Sequence, residues 1–92
     1  RQANPLAPAE NTLNSTGYAL LRSDRLDDAL AVFKLNVREH PRAWNVYDSL
    51  GEANAAAGMI EEAKLNYRKS IELNPDNQNG KDWLEKLTEE NK

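Results

Sequence analysis

The sequence predicts an all-α fold, an alpha-alpha superhelix of two helix-turn-helix repeats followed by a C-terminal capping helix. Three observations carry this reading. Marker residues recur 34 positions apart: Gly17 with Gly51, Ala29 with Ala63, Phe33 with Tyr67, and Pro41 with Pro75. Aligning residues 10–43 with 44–77 adds the identities Asn11/Asn45, Ser15/Ser49 and Ala19/Ala53, and the conservative pairs Leu26/Ile60, Asp27/Glu61, Asp28/Glu62, Lys34/Arg68 and Val37/Ile71. Within each unit the apolar residues return at steps of three and four, as one buried helical stripe requires. A period of ~34 residues belongs to helix-turn-helix units that stack into a solenoid, so function is expected on a surface.

Residues 1–9 carry Pro5 and Pro8 among small residues, which suits an extended lead-in or linker. The rest, 10–92, reads as one domain: repeat 1 over 10–43, repeat 2 over 44–77, and a capping helix over 78–90. The first helix is predicted over 10–22, with Leu13, Thr16/Gly17 and Leu20/Leu21 inward, and Ser23, Asp24 and Arg25 form the turn after it. The second is predicted over 26–40, burying Leu26, Ala29/Leu30, Phe33 and Val37. Asp27 and Asp28 lie in its first turn, where the positive end of the helix dipole favours carboxylates. Pro41 stops it, because the residue before a proline is pushed out of the helical region.

The second unit repeats the plan. A helix over 43–57 is predicted to turn Trp44, Tyr47, Leu50 and Gly51 inward; after a turn at Gly58, a helix over 60–73 buries Ala63, Tyr67 and Ile71, and Asn74-Pro75 closes it. Asp76 and Asn77 are good caps for a fifth helix over 78–90. That helix sets Trp83, Leu84 and Leu87 against Lys81, Asp82, Glu85, Lys86 and Glu89. Glu85 stands where Gly17 and Gly51 stand, so no close-crossing partner helix is expected there, and the helix serves to cover the last apolar face.

Composition narrows the function. Charged residues make up 29% and hydrophobic residues 39%, a balance suited to amphipathic helices in water. Twelve basic against fifteen acidic residues give a net charge of -3, with the basic residues scattered singly, so no stripe tracks a nucleic-acid backbone. No apolar run is long enough to span a bilayer, which argues against a membrane partner. The absence of Cys removes thiolate catalysis and zinc-cysteine sites. A first residue of Arg rather than Met fits a segment of a longer protein, and the sequence sets no compartment.

The candidate chemical groups have structural explanations. Asp27-Asp28 and Glu61-Glu62 are paired carboxylates, but neighbours on a helix point about 100° apart and both pairs open a helix. His40 has no second His or Cys for a metal or a nucleophile relay, and it ends a helix beside Pro41. Gly51 and Gly58 have no phosphate-cradling spacing. Asn14-Ser15-Thr16 matches a glycosylation acceptor but falls inside a predicted helix. No catalytic residue, cofactor or metal is therefore expected, and Trp44 and Trp83 read as packing residues.

Leu50-Gly51, Ala63, Tyr67 and Asn74-Pro75 in one unit, with Gly17, Ala29, Phe33 and Pro41 in the other, resemble tetratricopeptide repeats over residues 10–90. The second unit is the closer match; the first has Thr16 in place of Leu50 and Asn36 where a small residue is usual. The resemblance implies a protein-binding scaffold whose first helices line a concave groove for a peptide or protein partner. The implied groove positions are Asn11, Asn14, Tyr18, Leu21 and Arg22, then Asn45, Asp48, Glu52, Ala55 and Ala56, extended by Asn79, Asp82 and Lys86. The Lys and Asn side chains by which one subclass grips a peptide's terminal carboxylate are replaced here by Asn14, Tyr18, Ser49, Asn79 and Trp83, so that clamp is absent. Two units are fewer than the ~3 that solenoids usually need, which points to self-association or support from neighbouring sequence.

"FKLNVREHPRAWNVYDSLGEANAAAG" followed by "NYRKSIELNPDNQNGKDWLEKL" is also similar to tails that follow the catalytic domains of some bacterial serine hydrolases, beta-lactamase-like and esterase-like. That resemblance implies a structural or oligomerising appendage, with the nucleophile upstream of Arg1.

Overall fold

The structure, a computed structural model, describes residues 10–90, so the lead-in expected over 1–9 lies outside the described residues. Five α-helices follow one another: α1 (Glu10–Arg22), α2 (Leu26–Glu39), α3 (Trp44–Ala56), α4 (Ile60–Leu73) and α5 (Gln78–Glu90). Each packs on the next, and α1 also reaches α3, as stacked antiparallel pairs demand. This is an all-α helical repeat with the predicted element order; α2 ends one residue earlier than the sequence suggests, and α3 is one residue shorter at each end.

The turns explain where the helices stop. After α1 the chain passes through Asp24 at φ 61°, and after α3 through Gly58 at φ 78°, 34 positions on. Glycine adopts this left-handed conformation without penalty, whereas the Cβ of Asp24 opposes it. Asp27 and Asp28 open α2, and Glu61 and Glu62 open α4, each near free backbone N–H groups.

The core forms where the markers meet. Ala29, Phe33, Ala53, Ala63 and Tyr67 are all 0% exposed. A Cβ built on Gly17 would lie 2.6 Å from Phe33 Cζ, and one on Gly51 would lie 3.1 Å from Tyr67 Cδ2. Both glycines therefore let an aromatic ring from the second helix press close against the first. Ala63, Tyr67 and Leu87 form the end of the core under α5, with Trp83 and Leu84 packed against it, in keeping with the expected cap.

Two inward assignments are corrected. Trp44 is 37% exposed, and Thr16 is exposed as well. The residue that points inward near the start of α3 is Val46, at 0%. The reason is position: α3 packs against α2, α4 and α1, so its buried arc is wide and includes Val46, Ser49, Leu50, Gly51, Ala53 and Asn54. Tyr47 is only half-buried, and its hydroxyl donates to Pro41 O at 2.8 Å across the inter-repeat turn.

Candidate functional site

Helices α1 and α3 open the two pairs and α5 follows them, and side chains of all three meet on one face. Ser49 Oγ on α3 donates to Asn14 Oδ1 on α1 at 2.7 Å. The single phenolic hydrogen of Tyr18 has two acceptors in reach, Glu52 Oε1 at 2.8 Å and Ser49 Oγ at 3.2 Å. The shorter contact leads to the charged oxygen, where a hydrogen bond is the stronger. Tyr18 also stands edge-on to Phe33, with ring centroids 5.1 Å apart and an interplanar angle of 72°. Its ring is thus half-buried against α2 while its hydroxyl reaches α3.

Asp48 ties α3 to the last helix. Asn79 Nδ2 donates to Asp48 Oδ2 at 3.1 Å, and Asn77 Nδ2 to Asp48 Oδ1 at 3.2 Å. Asn77 is buried, and it also caps α5 by accepting from Gly80 N at 3.1 Å while donating to Ser70 Oγ at 3.0 Å. A side chain at position 80 would meet Asn77 Nδ2 at 2.6 Å, so the absence of a Cβ there leaves room for this junction.

Beyond Glu52 the face deepens into a cleft of about 380 Å³ lined by Glu52, Ala55, Ala56, Ile60, Trp83 and Lys86, with Tyr67 and Leu87 behind them. Trp83 stacks on Tyr67, centroids 6.3 Å apart and planes within 2°, and carries Lys86 Nζ 4.9 Å from its own ring centroid. Burial raises the Tyr18 phenol from its ordinary value to about 12, with the neighbouring Ser49 hydroxyl opposing the shift and Glu52 and Asp48 reinforcing it. Tyr67 is pushed up further, chiefly by burial and then by the charges of Asp48 and Glu52. Both phenols are neutral hydrogen-bonding groups at physiological pH.

Of the residues expected to line the groove, Asn14, Tyr18, Asp48 and Glu52 stand together through these bonds, Asn45 is half-buried on the same helix, and Lys86 lies at the α5 end. Asn11 and Arg22 are exposed, and no hydrogen bond among the described residues joins them to the network. The functional expectation omitted Ser49 as a bridge, Asn77 as the junction, and Tyr67 behind the cleft. Ser49 had a signal in the sequence, since it repeats Ser15; Asn77 was legible as a cap for α5, which its bond from Gly80 N bears out, but its tie to Asp48 and the place of Gly80 had no signal, because their counterparts one repeat earlier are Ala43 and Val46. No group of three or more His, Cys, Asp or Glu that could hold a metal occurs among the described residues, and none of the described helices is long and apolar enough to cross a membrane.

No protein-family profile matches the chain. It is 35% identical over 65 residues to the heat shock protein STI1 of Saccharomyces cerevisiae, an alignment that spans 71% of this chain and only 10% of the yeast protein. The solved structure of the first TPR of Spaghetti (RPAP3), bound to the HSP90 peptide SRMEEVD, superposes with a TM-score of 0.82 at 25% identity, covering 88% of this chain and 64% of that one. The fold is therefore the TPR-like helical repeat.

Proposed function

We propose that this segment binds a peptide or protein partner along the face shared by α1, α3 and α5. The observation that carries this reading is the polar network from Asn14 through Ser49, Tyr18 and Glu52, continued by Asp48 to Asn79, which holds side chains of three helices in fixed positions along one surface. Groups held in place before binding lose little entropy when a partner arrives, and that favours affinity. The solved repeat of the same fold carries a bound peptide, and the yeast relative is a heat shock protein, both of which support a peptide-binding role. Nothing in either name favours the bacterial hydrolase tail, which rests on the sequence resemblance alone.

The test is a random nonapeptide display selection, with the retained peptides then titrated against variants. Asn14→Ala and Arg22→Ala are expected to weaken binding several-fold, and Lys69→Ala, whose Nζ pairs with Glu72 on α4 at 3.2 Å, to leave it unchanged. Tyr18→Phe is preferred to Tyr18→Ala, because the ring packs on Phe33 and its removal would disturb the core. Loss of binding only in the Lys69 variant would move the partner to the opposite face.

A further inference from the structure

Resting on the groove reading above, the geometry points to a narrower class of partner: we infer that the face takes a segment through a lysine or arginine side chain seated against Asp48 and Glu52. The first ground is charge without a countercharge. Asp48 and Glu52 lie one turn apart on α3, and both are half-buried. Their hydrogen bonds come from neutral donors: Tyr18 to Glu52, and Asn77 and Asn79 to Asp48. The ion pairs of the described residues engage Asp28, Glu39, Glu61 and Glu72 instead. Half-buried like charges repel, and a cation placed between them relieves that repulsion while keeping the neutral bonds.

The second ground is independent of charge. Tyr67 is 0% exposed and lies behind the cleft that Glu52 walls, and its hydroxyl has no hydrogen-bond partner among the described residues. A buried polar group that no protein side chain pairs is costly, so an occupant bringing an N–H donor offers that hydroxyl a bond. A guanidinium, with five donors in a planar fork, can address a carboxylate and such a hydroxyl together. The small side chains of Ala55 and Ala56 leave room for its aliphatic stem. Lys86, held over Trp83, disfavours a cation at the α5 end and so directs it toward Glu52.

The contrast with the solved neighbour sharpens the inference. Its peptide, SRMEEVD, ends in a run rich in carboxylates. Here the 34-residue spacing aligns Asn14, Asp48 and Asp82 in one row, and Tyr18, Glu52 and Lys86 in the next, so carboxylates hold the middle of the face. Like-charge juxtaposition selects against an acidic segment.

The experiment titrates the full chain with nonapeptides of a fixed Ala/Ser frame whose two central residues are Arg, Lys, Gln, Leu or Glu, read by backbone amide shifts. Expected are shifts on α1, α3 and α5, dissociation constants at least about tenfold lower for Arg and Lys peptides than for Glu peptides, and a ratio that narrows as salt rises. Asp48→Asn with Glu52→Gln should abolish the ratio, while the charge-matched pair Asp27→Asn with Glu62→Gln, at exposed positions, should keep it. Tyr67→Phe should weaken the Arg peptide without lowering the melting temperature, and unchanged affinity there would remove the hydroxyl from the site. Equal or tighter binding of the Glu peptide, with shifts still on the same face, would overturn the cation and leave the groove. An Arg preference that survives the Asp48/Glu52 change would assign it to overall charge and overturn the inference. Absence of shifts on that face with every peptide would overturn both readings.

Discussion

The two repeats share a skeleton and differ in how tightly it closes. In the first, Phe33 presses on Gly17, the turn holds Asp24 in the left-handed region, and Tyr18 is braced edge-on against Phe33. In the second, Tyr67 lies farther from Gly51, the turn has Gly58, and the position of Tyr18 is taken by Glu52. The junctions after them differ in the same sense. Asn36, Ala43 and Val46 meet the first junction with apolar bulk at two of three positions, where Ser70, Asn77 and Gly80 meet the second with a hydrogen-bonded cluster. The 34-residue period conserves the helix crossings, while the residues between crossings decide whether a junction is apolar or polar, and the polar one reaches the candidate site through Asp48.

The largest expected difference lies at the crossings. Ala in a helix is favoured over Gly by about 1 kcal/mol, whereas overpacking costs about 1–3 kcal/mol. At Gly17 the new methyl would press into the rigid Phe33 ring, 2.6 Å from Cζ and closer still to Cε1, so Gly17→Ala should be net destabilising by on the order of 1–2 kcal/mol. At Gly51 the corresponding approach is 3.1 Å, and the two contributions should nearly cancel. Urea midpoints of the two variants check this, and equal losses would mean that the repeats are equally tight.

A difference of similar or smaller size belongs to the caps. Asn77 caps α5 with its side chain, but Ala43, its counterpart before α3, offers no side-chain bond. Asn77→Ala should therefore cost about 0.5–2 kcal/mol and Ala43→Ser should gain a few tenths to about 1 kcal/mol. Thermal unfolding of both variants reads the opposite signs directly.

The smallest lies in the turns. Asp24→Gly should stabilise by about 0.5–1 kcal/mol and Gly58→Ala should destabilise by about as much, since each changes only the strain of a left-handed residue. Nothing lies within 4 Å of a Cβ at Gly58, so packing does not enter. Matching denaturation curves for Gly58→Ala and the parent would contradict that account.

The period made the helices legible, because Gly17/Gly51, Ala29/Ala63 and Phe33/Tyr67 mark crossings that backbone geometry imposes on every unit. It failed at Trp44 and Val46, since a helix packed on several sides has no single stripe to read. Half of the candidate site was legible for the same reason: Asn14, Tyr18, Asp48 and Glu52 occupy repeating places on first helices. Asn77 was legible only as a cap; its junction with Gly80, Ser70 and Asp48 was not, because three elements converge there through residues that break the repeat. The partnerless hydroxyl of Tyr67 is likewise a property of its surroundings and not of its residue type.

The central claim is that a partner lies on the face of α1, α3 and α5. Nitrogen-15 amide shifts recorded while a display-selected peptide is titrated into the full chain test it most directly. The account predicts that the largest changes fall on Asn14, Tyr18, Asp48, Glu52, Asn79 and the Trp83 indole. Changes concentrated instead on exposed residues of α2 and α4, such as Lys34, Leu65 and Lys69, would contradict it.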